Sequence, residues 1–338
     1  MTSGHGDDRH LYPEINIRYD FSSNVPAHPD HSALWAHLNE HQDIISRYPE
    51  PEPYTLEAEI AKKYDIDPQC VLVTNGATEA IFLVAHLLKG KNSGIVQPTF
   101  SEYMDAAMLY QHRIQILKSP YETSGDLDAI WCCNPNNPTG TTWEHQKLIE
   151  TVDSAPETTF IYDQSYHSFT PKEVISHQEV TARPNVIAIF SLTKKYALPG
   201  LRLGYLVTSK RIAQEIRRLR MPWSVNALAI EAGHFLLHRD TFWKLNDLLD
   251  ERLRVTSEIE AHTNIQIHPT DTHYFLAQLP PTGATAQELK DWLVLHEAIL
   301  IRNADNFPTL TPHHFRIAIQ SPEDNNRLIS SLIKWTQI

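Results

Sequence analysis

A lysine among hydroxyl residues, followed eight positions later by an arginine, is the most chemically suggestive feature of this 338-residue sequence. It lies in Ser191-Leu192-Thr193-Lys194-Lys195-Tyr196-Ala197-Leu198-Pro199-Gly200-Leu201-Arg202-Leu203-Gly204-Tyr205. A lysine attacks a carbonyl readily only where burial or cationic neighbours lower its pKa. The hydroxyls and Arg202 suit a phosphate held close by. Three other segments carry similar promise. Thr74-Asn75-Gly76-Ala77-Thr78-Glu79-Ala80 joins a predicted strand to a predicted helix. There Gly76 lets backbone approach a ligand, free amides at the helix start favour phosphate, and the Thr78 hydroxyl adds a donor. An ordinary capped turn is the plainer reading. The segment is neither GxGxxG nor a P-loop, so nucleotide binding loses its main support.

Asn134-Pro135-Asn136-Asn137-Pro138-Thr139-Gly140 also follows a predicted strand. A rigid turn explains its Pro and Gly but not its run of amides. An Asn on such a turn points into the crevice where α/β sheets bind ligands. Phe160-Ile161-Tyr162-Asp163-Gln164-Ser165-Tyr166 places an acid and, three residues on, a phenol at the end of another strand. Asp163 is either a surface cap or a buried anion paired with a cationic ring nitrogen.

The elements that must position these groups alternate short apolar runs with helical stretches. Strands are expected at 71–73, 94–97, 114–117, 129–133, 159–162, 186–190 and 203–207, and helices at 54–64, 78–88 and 211–220. Buried strands separated by helices imply a largely parallel sheet covered on both faces. The fold class is α/β: a large domain over 41–235, with a smaller α/β domain built from 1–40 and 236–338. Arg217, Arg218 and Arg220 read as a solvated helix face, Cys132 and Cys133 as packing, and Trp223 as interdomain packing.

Composition narrows the function. The 41% hydrophobic and 21% charged content is ordinary for a folded enzyme. A formal net charge of −12 argues against nucleic-acid and anionic-membrane partners. No apolar run reaches a membrane span or a signal-peptide core, so a cytoplasmic location is expected. Three cysteines, two of them adjacent, make no disulfide framework. The 19 histidines show neither HExxH nor another paired-ligand spacing, so no metal is expected.

Taken in order, the four segments resemble the aspartate-aminotransferase-like, fold type I superfamily of pyridoxal-phosphate-dependent transferases. By that resemblance Lys194 is the Schiff-base lysine, Asp163 pairs with the pyridinium nitrogen, and Asn137 and Tyr166 hydrogen-bond the ring hydroxyl. Gly76-Ala77-Thr78, Ser191 and Arg202 hold the cofactor phosphate, with Thr193 nearby. Phe100, in Pro98-Thr99-Phe100, takes the ring-stacking position. Within the superfamily the chain resembles histidinol-phosphate aminotransferases through Arg47-Tyr48-Pro49 and Phe315-Arg316-Ile317.

It is more similar to the L-threonine-O-3-phosphate decarboxylases of cobalamin biosynthesis. That likeness rests on Ser191 to Tyr205, Met221-Pro222-Trp223-Ser224-Val225-Asn226-Ala227-Leu228-Ala229, Ile299-Leu300-Ile301-Arg302, Asp20-Phe21-Ser22-Ser23-Asn24 and Gly4-His5-Gly6. The resemblance implies a homodimer with shared sites, in which Tyr48 reaches into the partner's site. His5, Asn24, Asn137, Arg302 and Arg316 would contact a small phosphorylated amino acid. Two arginines suit a carboxylate and a phosphate; without the resemblance they read as surface salt bridges. Catalysis would rest on Lys194, Asp163 and Tyr166. Two departures stand out: Gln164-Ser165 replaces the usual Glu-Ala, and Tyr166 follows the aminotransferases, where the decarboxylase pattern has Phe. The expected reaction is decarboxylation of L-threonine O-3-phosphate to (R)-1-amino-2-propanol O-2-phosphate. The alternative is transamination of the histidinol-phosphate type, and a third reading is a non-catalytic cofactor-binding protein.

Overall fold

A computed structural model describes residues 6–27, 29–123 and 126–337. At its start, β1 (Tyr19–Asp20) precedes α1 (Ser32–Glu40) and α2 (Tyr54–Lys63). The apolar runs then form β2 (Val71–Thr74), β3 (Asn92–Val96), β4 (Arg113–Leu117), β5 (Ala129–Cys133), β6 (Thr159–Asp163), β7 (Val186–Ser191) and β8 (Gly204–Thr208). Between them run α3 (Gly76–Leu87), α4 (Glu102–Leu109), α5 (His145–Ser154), α6 (His177–Thr181) and the single turn α7 (Leu192–Lys195). Three helices follow: α8 (Lys210–Arg217), α9 (Ala227–Leu237) and α10 (Leu245–His262). The C-terminal part holds β9 (Gln266–Ile267), β10 (Tyr274–Gln278), α11 (Ala286–Glu297), β11 (Ile299–Leu300), β12 (Arg302–Asn303), β13 (His314–Ala318) and α12 (Pro322–Thr336).

Strands β2 to β8 make a seven-stranded sheet of order β2-β8-β7-β6-β5-β3-β4. Every pairing from β7 through to β4 is parallel, and β8 runs antiparallel to both of its neighbours. Successive side chains point to opposite faces of a strand, and here both faces are buried. Val71, Ile130, Cys132, Tyr162 and Phe190 join the core on one side, while Leu72, Trp131, Cys133, Ile161 and Ile189 join the core on the other. The strands therefore read as continuous apolar runs rather than alternating ones. Cys132 and Cys133 are packing residues, as expected.

A four-stranded antiparallel sheet, β12-β13-β10-β9, packs Phe275, Phe315 and Ile317 against Val255, Leu293 and Leu328 of α10, α11 and α12. Phe21 is buried in the same core, because β1 pairs in parallel with β11. This pairing delivers the residues that follow β1 to Lys194, just past the end of β7 in the larger sheet. Helix α1 goes the other way: its Leu34 and Leu38 join the core under the large sheet, so the expected boundary at residue 40 separates α1 from the core it helps to fill.

Two bland readings need correction. Arg217 and Arg220 are not a solvated face. Arg217 pairs with Glu52 at 2.6 Å and Glu57 at 2.7 Å, and Arg220 pairs with Glu52 at 2.5 Å and Glu57 at 3.1 Å. These carboxylates lie some 160 positions away in sequence, so helical periodicity could not reveal them. Trp223 is 48% exposed and packs against Tyr48, the rings tilted at 42° with centroids 5.3 Å apart. No helix among the described residues is long and apolar enough to cross a membrane.

Candidate active site

The carboxyl ends of the parallel strands open onto one cleft of about 240 Å³, the place where doubly wound sheets bind ligands. Lys194 enters it from α7, directly after β7, and its Nζ donates to the Ser23 carbonyl at 2.9 Å. Burial, then the Arg316 and Arg202 guanidinium groups, lower the Lys194 pKa to about 8, against the opposing pull of Asp20 and Asp163. Near neutrality an appreciable fraction of this amine is unprotonated, as a nucleophile or proton carrier requires.

Asp163 ends β6 and is buried. It accepts from the Tyr103 phenol at 2.7 Å and from the Ser165 backbone N–H at 2.9 Å. Burial raises its pKa, while the Ser165 and Tyr103 hydrogen bonds and the Lys194 charge work against that rise. A buried carboxylate of this kind gains from a cationic ligand group placed beside it.

Opposite lies an anion cradle. Gly76 opens α3 with φ +76°, and an added Cβ would sit 2.6 Å from an Arg202 guanidinium nitrogen. Glycine takes this φ without strain, and a side chain here would push the Arg202 guanidinium out of place. Ala77 and Thr78 line the cleft at the same helix start, where N–H groups lack intrahelical acceptors. The Ser191 and Thr193 hydroxyls lie 2.8 Å apart. Arg202 has φ +55°, donates to the Pro199 carbonyl at 3.2 Å, and makes no salt bridge among the described residues.

The third group of residues lies across the cleft. Arg316 is buried on β13, donating to Asn137 Oδ1 at 2.5 Å and to the Ser22 carbonyl, and its Nε has no hydrogen-bond partner among the described residues. Arg302 sits opposite it in the β12–β13 register. Burial and the Arg316 charge lower the Arg302 pKa to about 10, and its guanidinium donates to Asn306 at 2.7 Å and stacks over Phe307 at 5.2 Å. Two desolvated guanidinium groups side by side are stabilised by an anionic ligand.

Ala77, Thr78, Phe100, Asn137, Asp163, Tyr166, Ser191, Thr193, Lys194, Arg202 and Arg316 all line this one cleft. Gly76 lies behind its wall against Arg202. Asn24 is buried with φ +50° beside Ser23 but does not line the cleft, and Arg302 stands behind Arg316. Tyr48 is 83% exposed and does not reach the cleft of its own chain. His5 lies outside the described residues. Sequence reasoning missed Tyr103, Ser165 and the Ser22–Ser23 carbonyls. Tyr103 reads as one more apolar position of α4, and a backbone carbonyl carries no residue signature.

Residues 17–332 match the aminotransferase class I and II family. A threonine-phosphate decarboxylase of Salmonella typhimurium is 33% identical over 93% of this chain and 90% of its own length. A histidinol-phosphate aminotransferase of Mannheimia succiniciproducens is 29% identical over 86% of this chain and 82% of its own. Among solved structures, an L-threonine-O-3-phosphate decarboxylase of Porphyromonas gingivalis superimposes with a TM-score of 0.91 at 34% identity, covering 95% of this chain and 100% of that one.

Proposed function

Because this chain belongs to the class I and II aminotransferase family, a fold type I group, we propose that it decarboxylates L-threonine O-3-phosphate to (R)-1-amino-2-propanol O-2-phosphate, a reaction of cobalamin biosynthesis. The observation that carries this reading is Arg302 facing Arg316 across the β12–β13 register. Two neighbouring guanidinium groups, Arg316 on the cleft wall and Arg302 behind it, match a small amino acid that carries both a carboxylate and a phosphate.

The cofactor is pyridoxal phosphate, and the residues fit it. Ala77, Thr78, Ser191, Thr193 and Arg202 offer donors to its phosphate, Asp163 offers a buried carboxylate to its ring nitrogen, and Lys194 offers an amine to its carbonyl. When bound, the cofactor supplies an electron sink for the charge left on the substrate α-carbon. The protein's own part is orientation and proton handling. Arg302 and Arg316 would hold the substrate anions and so fix the orientation of its α-carbon in the cleft. Asp163 would offer its buried carboxylate to hold a proton on the ring nitrogen. Lys194, with its lowered pKa, would be the group that carries a proton to the α-carbon.

In this reading the enzyme is a cytoplasmic homodimer. The exposed Tyr48–Trp223 pair, flanked by Met221 at 77% exposure, supports an interface there, with Tyr48 entering the partner's site. The large domain is centred on the seven-stranded sheet and the small one on the four-stranded sheet. His5 and Asn137 would complete the substrate contacts, with Asn24 buried beside the lining residue Ser23, and Asn137 and Tyr166 the cofactor's.

Transamination of the histidinol-phosphate type remains the second reading, because Tyr166 keeps a phenol in the cleft. A product assay separates the two: enzyme loaded with pyridoxal phosphate receives L-threonine O-3-phosphate and no keto acid. Carbon dioxide and aminopropanol phosphate in equal amounts establish the decarboxylase. A single turnover that leaves pyridoxamine phosphate and a keto acid establishes the aminotransferase.

A further inference from the structure

The expectation that no metal-ligand spacing exists overlooked His37 and His41. They stand four positions apart, His37 in the last turn of α1 and His41 at its C-cap. Their ring centroids are 4.4 Å apart. Across the α1–α9 contact, Glu231 brings Oε1 to 2.7 Å from His37 Nε2. One ligand atom from each of the three residues can be chosen so that all lie within 4.8 Å of one another.

We propose that His37, His41 and Glu231 form a binding site for one divalent transition-metal ion of the zinc class, outside the cleft that handles the substrate. Two imidazoles and a carboxylate are a donor set zinc accepts, with water in the fourth position. Tetrahedral ligands at roughly 2.0–2.2 Å from an ion stand about 3.3–3.5 Å apart. Side chains that are only half-buried can close the remaining distance of about 1 Å. His41 Nδ1 lies 2.8 Å from the His37 carbonyl. In the tautomer that donates this bond, Nε2 keeps its lone pair for a metal. Such an outer hydrogen bond is what orients ligating histidines.

The surroundings favour a dication. Glu40 and Asp43 act on His41 together with Glu231, and Phe235, one turn along α9 from Glu231, covers the His37 ring at 4.7 Å. The cation Arg239 is engaged over the Phe235 ring at 4.7 Å. A His37–Glu231 hydrogen bond and the contact of His41 Nδ1 with the His37 carbonyl account for the pairwise contacts, and an ion would use the three side chains together. An ion here would clip α1 to α9. Since α1 follows the Ser22–Asn24 segment, the clip would fasten the chain that runs into the cleft without touching the cleft itself.

The test uses holoenzyme without an affinity tag, stripped of metal with a chelator and titrated with zinc chloride against a chromogenic competitor. Wild type is compared with His41→Gln and Glu231→Gln, and each variant is checked for wild-type activity as evidence of folding. One zinc per protomer in wild type, weakened by about 100-fold or more in both variants, is the expected result. Zinc should also raise the Tm of wild type by a few degrees and leave the variants unmoved. Absence of stoichiometric binding by wild type, or equal binding by all three proteins, would overturn the site. Cobalt(II) gives a second readout: tetrahedral visible bands should appear in wild type and be missing from Glu231→Gln.

Discussion

The Tyr103 phenol donates to Oδ2 of Asp163 at 2.7 Å, and both groups are buried between α4 and the end of β6. Tyr103 also packs on Trp131 with centroids 5.9 Å apart, so Tyr103→Phe removes the donor while keeping the ring. A hydrogen bond to a charged group contributes about 1.5–3 kcal/mol, and its loss lets burial push the Asp163 pKa higher. Cofactor affinity and kcat/KM should fall by about 10- to 100-fold, with Asp163→Asn worse. Unchanged values in Tyr103→Phe would show that the phenol only packs.

Lys194 sets a pH dependence. Its pKa is depressed to about 8, so the fraction of neutral amine grows as pH rises toward that value and levels off above it. Uptake of pyridoxal phosphate by apoprotein, followed by absorbance, should accelerate about tenfold per pH unit below 8 and then plateau. Arg316→Gln removes a cation that helps depress the pKa, so its midpoint should move upward. Lys194→Ala should not capture the cofactor covalently and should lose at least about 10³-fold in turnover. A wild-type midpoint near the ordinary lysine value would mean that the cleft does not desolvate the amine.

The two arginines can be assigned by comparing L-threonine O-3-phosphate with L-threonine. Truncating one partner of a buried charge pair costs about 2–5 kcal/mol, so Arg302→Ala and Arg316→Ala should each lower kcat/KM for the phosphorylated substrate by at least about 30-fold. The variant in which preference over unphosphorylated threonine collapses has lost the phosphate contact. If preference survives in both, the reading of two gripped anions fails.

Shared sites predict complementation. Lys194→Ala and Tyr48→Ala each disable one half of a composite site, so a heterodimer keeps one intact site. Unfolding and refolding an equal mixture should restore about a quarter of wild-type activity from two nearly inactive proteins. No recovery would place Tyr48 outside the partner's site.

The Glu52–Glu57–Arg217–Arg220 network should dominate stability in its region. Glu57 and Arg220 side chains are only 3% and 2% exposed, and Glu57 also accepts from the Val73 N–H at 3.0 Å. Glu57→Ala leaves the buried Arg220 and the part-buried Arg217 with Glu52 as their only carboxylate among the described residues and should cost about 3 kcal/mol in urea unfolding. Replacing Glu57 and Arg220 together by apolar residues should cost less than the two single changes summed.

The sequence by itself determined the cofactor side of this protein. Gly76, Asp163 and Lys194 each stand at the end of an apolar run or just past it, and strand ends in a parallel sheet converge on one crevice. Local order along the chain thus carried spatial meaning, and the segments around 74–80, 134–140, 160–166 and 191–205 could be read as one site. Tertiary structure alone decided what depends on register and distant packing. Arg302 meets Arg316 only because β12 pairs with β13, and Lys194 meets Ser23 only because β1 pairs with β11. The partners of Arg217 and Arg220, the Tyr103 donor, and the approach of Glu231 to His37 belong to the same class. Spacing fixes which face of an element a side chain occupies; what that face then meets follows from how the whole chain buries its apolar surface.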